Sequence, residues 1–374
     1  MAMLPELKDE PLGIFVWSAY RFLVTWVAAK RDLRAEFYNV SGIDAAVREI
    51  VSISENSPES STVGLSASLV VLLTEMVEDK PDQRKQAVAA IGVSEWALRR
   101  GFTETALAYA GVVAGLRNTS RQAWLTGRLH RRHARPREAE AWYRAADVAA
   151  TREKDWDAKA RALNSRGKLA LDIGRYADAR KWFARTVKFA QRRRLHEREA
   201  EAHHHLFAVG VATRDHKLAE QEIARAIDVY GPDHPRLPSF LHDLAAYWMD
   251  KGQYENALNL LTVLLERHFK DSPAARLLVL GSAARAAGGA GNADRFDLLH
   301  AELNQLRADG PETFLHGQAL LLLARGAVSL GRWPLAKQHA AEALESSRRT
   351  GQGDTETSAE QLLAEVESAA GASW

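Results

Sequence analysis

The sequence predicts an all-α repeat fold, an α-solenoid built from helix pairs, and three observations predict it. Alanine, leucine, arginine and glutamate dominate the 374 residues, and all four are strong helix formers. Positions 127, 167, 207, 245, 284 and 324 are related by steps of 40, 40, 38, 39 and 40 residues, and all but Phe207 are Gly or Ala. Such self-similarity at a fixed period marks a repeat architecture. Finally, Pro136, Pro232, Pro235, Pro238, Pro273, Pro311 and Pro334 fall in turns or first helical turns under this register, where a missing N–H is tolerated.

The chain reads as three segments: 1–57, an N-terminal helical cap or effector module; 58–350, a solenoid of about seven helix pairs; and 351–374, a capping helix and tail. Residues 12–56 read as two helices, closed by the loop Asn56–Ser61. The first, Leu12 to Ala29, is strongly apolar, and its polar Ser18, Arg21 and Thr25 share one narrow stripe. Arg21 near the centre would burden a membrane span, so a buried or partner-facing helix is expected, and a route to oligomers is open there. Leu69 to Leu73 could pass for a strand but reads more easily as a buried helix.

Trp96, Gly101, Ala106 and Ala110 mark an early unit. The next, Trp124 to Asp147, carries Gly127, Ala139 and Tyr143. The clearest copy is Asn164 to Phe189: Gly167 and Ala179 let two helices approach, Gly174 turns the chain, and Tyr176 and Phe183 fill the space between neighbouring pairs. His205 to Asp228, with Phe207, Ala219 and Ile223, is weaker. Leu241 to Leu265 carries Ala245, Gly252, Tyr254, Ala257 and Leu261. Leu278 to Leu303 is weak, with Gly281 or Ala284 as its small residue and a Gly288–Gly291 turn. Leu320 to Leu344 carries Ala324, Gly331, Trp333, Ala336 and Ala340. Glu356 to Ala370 reads as a polar amphipathic cap and Gly371 to Trp374 as a loose tail.

These residues resemble the tetratricopeptide repeat family. Tyr230-Gly231-Pro232-Asp233-His234-Pro235, then Leu244-Ala245-Ala246-Tyr247 and Gly252-Gln253-Tyr254-Glu255-Asn256-Ala257, look like the longer-repeat subtype of kinesin light chains and of bacterial sensor and scaffold proteins. The resemblance spans roughly residues 85–350 and implies a right-handed superhelix that binds a protein or peptide partner. Departures at 207, 216 and 276–300 predict local irregularity.

Charge is uneven. Arg117 to Ala200 carries 23 Lys/Arg against 10 Asp/Glu, a net of +13; the rest carries 27 against 38. In the family, the first helix of each pair lines the concave groove. Carried over, that pattern puts Arg121, Trp124, Arg128, Arg131 and Arg132 on the groove side of one unit and Arg161, Asn164 and Lys168 on the next, with His204 and His242 further along. Family members that grip a peptide carboxylate use Lys, Arg and Asn there, and a planar guanidinium suits an anion by donating two parallel hydrogen bonds. The implied partner is therefore an acidic protein or peptide segment. A solvated arginine-rich surface, or nucleic-acid binding through Arg192-Arg193-Arg194, would account for the same charges. A bacterial receptor for a signalling peptide, with residues 12–56 as its output module, is the other regulatory reading.

Enzyme chemistry finds little support. With no cysteine, disulfides, zinc ribbons and a thiol nucleophile are excluded. There is no Gly-x-Ser-x-Gly elbow and no phosphate-binding Gly-x-x-x-x-Gly-Lys. His196, Glu199 and His203 share a helical face, but Ala200 stands where a zinc-protease motif needs its second His. No enzyme activity, cofactor or metal is expected. The chain does not open on a basic-then-apolar secretory pattern, and the expected location is cytoplasmic.

Overall fold

The computed structural model describes residues 3–29, 40–57, 60–78, 81–117, 119–269, 272–308, 315–350 and 352–371. All regular structure among them is helical. Residues 372–374, Pro58, Glu59 and Pro311 lie outside the described residues, as do the side chains of Thr25, Trp26 and Ser61. The chain divides into two compact units, Met1–Val229 and Tyr230–Trp374.

In the first unit a 3₁₀ turn, Pro5–Leu7, precedes α1 (Gly13–Ala29), α2 (Val40–Glu55) and α3 (Ser60–Val77). Helix pairs follow: α4 (Gln83–Arg100) with α5 (Thr103–Arg117), α6 (Ser120–Arg132) with α7 (Pro136–Glu153), α8 (Trp156–Asp172) with α9 (Tyr176–Arg193), and α10 (His196–Ala212) with α11 (His216–Tyr230). The second unit holds α12 (Leu237–Asp250) with α13 (Tyr254–Arg267), α14 (Pro273–Gly289) with α15 (Ala293–Ala308), α16 (Leu315–Ser329) with α17 (Trp333–Thr350), and α18 (Gly353–Gly371). The expected loop 56–61 is shorter than read, because Ser60 and Ser61 already belong to α3.

One repeat explains the others. Asp155 caps α8 by accepting from the Ala158 N–H at 2.9 Å. At its other end Gly174 takes φ +74°, and the Arg175 N–H reaches back to the Ala170 carbonyl at 2.8 Å, closing the last turn. Helix α9 then returns along α8. A Cβ on Gly167 would lie 2.5 Å from the Phe183 ring, and Phe183 is fully buried. Burying such a ring stabilises by about 1.5–3 kcal/mol. Gly127 stands in the same relation to Tyr143 at 2.8 Å. A left-handed residue sits at the turn of every pair: Gly101, Ala134, Gly174, Arg214, Gly252, Gly291 and Gly331. Those positions give steps of 33, 40, 40, 38, 39 and 40 residues, so the longer period holds from Ala134 onward.

The irregular regions have physical causes. At 207 the bulky Phe207 is buried, and the close approach moves to Gly210, whose Cβ would lie 2.7 Å from the Ala219 backbone N. Within 276–300, eleven of the thirteen residues from Gly281 to Ala293 are Gly, Ala or Ser, and α14 packs backbone to backbone on α16. A Cβ on Gly326 would lie 2.7 Å from the Ala284 carbonyl.

The ends are packed. Val16, Trp17, Ala19, Phe22 and Leu23 of α1 are buried, and the Tyr109 hydroxyl of α5 donates to the Val16 carbonyl at 2.6 Å. The Glu6 carboxylate accepts from the Thr105 N–H at 2.6 Å, placing negative charge at the start of α5 where the helix dipole favours it. The described part of the apolar segment 12–29 thus packs internally, with Arg21 outward. Leu69, Leu72 and Leu73 are buried in helical α3. Ala359, Leu362 and Val366 of α18 join the second unit's core.

Candidate functional site

In the first unit the first helices α6, α8 and α10 lie side by side, so residues about 41 apart in sequence meet. Trp124 on α6 donates its indole N–H to the Ser165 hydroxyl on α8 at 2.8 Å. The Arg128 and Arg161 guanidinia lie 5.0 and 5.2 Å from its ring centroid, in reach of cation–π attraction. Asn164 is buried, and its carboxamide oxygen finds no partner among the described residues.

Acidic groups divide the basic face unequally. Arg131 pairs with Asp172; burial opposes its charge, but the Asp172 carboxylate outweighs burial and raises its pKa. Arg161 donates to Asp157 at 2.7 Å. Arg198 of α10, absent from the sequence expectation, is buried, donating to Asp157 at 2.8 Å and to Glu201 at 2.6 Å. Burial resists ionisation of Asp157, yet the Arg198 and Arg161 hydrogen bonds prevail and hold its carboxyl below the usual range. Arg128 has no carboxylate partner among the described residues. Partial burial, then repulsion from Arg132 and Arg131, lowers its pKa, though a guanidinium stays charged.

Trp124, Arg128 and Arg161 are therefore brought together, with Asn164 in the same helix layer. Arg121 and Arg132 point to solvent. Lys168 is half-buried, and His204 lies beside His205, ring centroids 5.6 Å apart. His242 belongs to the second unit, where its Nε2 meets the Ser282 hydroxyl at 2.8 Å. The histidine face does not converge: His203 Nδ1 lies 2.5 Å from Glu222 and its Nε2 4.0 Å from Glu199, while His196 is exposed. Among the described residues no group of three or more His, Cys, Asp or Glu is arranged to hold a metal ion. No described helix is long and apolar enough to cross a membrane.

Much of the arginine excess is stacked on tryptophan. Arg166 lies 3.7 Å from the Trp182 centroid and Arg193 4.0 Å from that of Trp156. These side chains pack as well as carry charge.

No protein-family model matches the chain, and no curated protein matches it. Solved structures do. The apo form of RapI is 12% identical over 71% of this chain and 99% of its own, with a TM-score of 0.53. A signal transduction ATPase with numerous domains, carrying a tetratricopeptide repeat sensor and coming from Pyrococcus horikoshii, is 13% identical with a TM-score of 0.50; the match covers 85% of this chain and 53% of that one. BtubC (BKLC) from P. vanneervenii is 18% identical over 61% of this chain and 92% of its own, with a TM-score of 0.46. The fold is a tetratricopeptide-like helical repeat.

Proposed function

We propose that this chain is a protein- or peptide-binding repeat, not an enzyme, and that the face formed by α6, α8 and α10 takes an acidic segment of a partner. The supporting observation is the cluster around Trp124. An indole flanked by two guanidinia, one of them without a carboxylate partner among the described residues, adjoins a helix with a buried unpaired carboxamide oxygen. Tryptophan and arginine are the residues that most often dominate binding energy. An acidic side chain would satisfy Arg128, and a backbone N–H would satisfy Asn164. Ion pairing confines the basic patch mainly to Arg128, Arg121 and Arg132. Nucleic-acid binding is less favoured, because Arg193 is stacked on Trp156 and Arg192 donates to the Lys188 carbonyl at 3.0 Å. The test is co-purification with the wild-type chain and with Arg128→Glu/Arg161→Glu: a specific partner should be retained by the first and lost by the second.

A second reading, a ligand-responsive regulator of the kind bacteria use to sense signalling peptides, draws on the sensor role of the Pyrococcus horikoshii repeat. In this reading residues 12–56 act on a downstream target. Because α1 is built into the first unit's core, its exposed Ile14 and Arg21 are the positions to alter. If Ile14→Asp and Arg21→Glu leave every output unchanged, this reading fails.

A further inference from the structure

The second helices of the first unit form another feature, independent of the face around Trp124. Helices α7 and α9 stand as ridges on either side of α8, enclosing a cleft with about 830 Å³ of solvent-accessible space. Its floor is apolar: Leu169 is buried, but Ile173, a large aliphatic side chain, is 44% exposed. Its wall is cationic. Arg166, 11% exposed, donates to Glu140 at 2.5 and 3.0 Å while stacking on Trp182. Arg144 shares the same Glu140 carboxylate at 2.9 Å. One carboxylate therefore serves two guanidinia, which leaves positive charge at the centre of the cleft. Arg137, two turns before Arg144 on α7, has no carboxylate partner among the described residues.

The same architecture recurs along the chain and supplies its own comparison. Between α9 and α11 the corresponding groove holds about 580 Å³, with Arg180, Lys188 and Arg225 balanced by Glu199, Glu222 and Asp228. In the second unit, the groove bordered by α13 and α15 has Arg276 and Arg295 balanced by Glu266 and Glu302. The α7–α9 cleft instead sets Arg137, Arg144, Arg166 and Arg175 against Glu140 and Asp178. A groove that merely follows from stacking helix pairs would have no reason to be both roomier and unbalanced in charge.

We propose that this cleft docks an amphipathic helix that lays apolar side chains on Ile173 and presents Asp or Glu to Arg137 and Arg144. Groove-bound helices are recognised through anchors on one face. On α7, residues 137, 141, 144 and 148 form one stripe, ending in Val148 at 69% exposure. At 1.5 Å per residue the stripe runs about 17 Å, or about three turns of a docked helix.

The test uses the full chain and a fluorescein-labelled peptide of about five turns with leucine on one face and glutamate on the other. A scrambled peptide of the same composition is the control. Fluorescence anisotropy should show the amphipathic peptide binding at least about tenfold more tightly than the scramble. Ile173→Asp, and separately Arg137→Glu/Arg144→Glu, should each weaken it about tenfold, which corresponds to about 1.4 kcal/mol. Arg128→Glu/Arg161→Glu should weaken the amphipathic peptide and the scramble alike and leave the roughly tenfold preference between them unchanged, which separates this cleft from the face proposed above. All these side chains are exposed or half-buried, and melting curves verify folding. Equal binding of the scramble, no binding, or loss caused only by the Arg128/Arg161 pair would overturn the proposal.

Discussion

The Trp124 indole N–H and the Ser165 hydroxyl meet at 2.8 Å across two successive repeats, so the central side chain of the candidate site also ties α6 to α8. Trp124→Phe and Ser165→Ala should each cost about 1 kcal/mol, the usual net worth of a hydrogen bond. A double-mutant cycle on urea unfolding should return a coupling of about 0.5–1.5 kcal/mol. Additive single effects would show that the bond contributes nothing.

Close helix approach gives a pair of opposite predictions. In Gly167→Ala the new methyl would meet the Phe183 ring. An overpacking cost of about 1–3 kcal/mol should outweigh the roughly 1 kcal/mol that Ala gains over Gly inside a helix. A methyl at Gly64 in α3 would meet nothing within 4 Å, so Gly64→Ala should stabilise by about 0.5–1 kcal/mol. Thermal unfolding of both variants checks the contrast.

Ala134 holds the left-handed turn position that Gly174, Gly252, Gly291 and Gly331 hold in other pairs, at φ +53°. Relief of about 1–2 kcal/mol of left-handed strain exceeds the entropy glycine loses on folding. Ala134→Gly should therefore raise stability by about 0.5–1 kcal/mol, and Gly174→Ala should lower it by about 1 kcal/mol.

Much of the architecture is legible in the sequence, because each repeat states it again. Gly167 with Phe183, and Gly127 with Tyr143, are chemically obligatory pairs, and the left-handed turns follow them. The site is less legible. Register alone places Trp124, Arg128 and Arg161 on one face, but a count of charges does not say which carboxylate neutralises which arginine. Arg131 is claimed by Asp172, and Asp157 by Arg198. Both pairs lie 41 residues apart, so opposite charges one repeat apart were the available signal. The α7–α9 cleft gave no linear signal, since Arg166, Glu140 and Trp182 come from three different helices.

The second unit should respond to pH. His300 on α15 and His339 on α17 face each other, Nε2 to Nε2, at 3.0 Å. Arg307, Asp297 and Arg332 surround them, and Glu342 lies 3.6 Å from His339. Burial lowers both histidines from their ordinary value of 6.5. The folded state therefore keeps them neutral while the unfolded chain takes up protons. Their contribution to stability is complete above about pH 6.5 and is lost as pH falls below it. The melting temperature should fall between pH 7.5 and 5.5, and less steeply in His300→Gln/His339→Gln. An identical slope in that variant would contradict the assignment.

The central claim is that the face around Trp124 selects acidic segments. The most direct measurement is panning a random 12-residue display library, in parallel, against two proteins that both carry Ile173→Asp to silence the α7–α9 cleft, one with the native Trp124 face and one with Arg128→Glu/Arg161→Glu. The native face should enrich sequences rich in Asp and Glu, and the charge-reversed face should lose that enrichment. Enrichment of the same acidic sequences by both proteins, or of no acidic sequence by the native face, would contradict it.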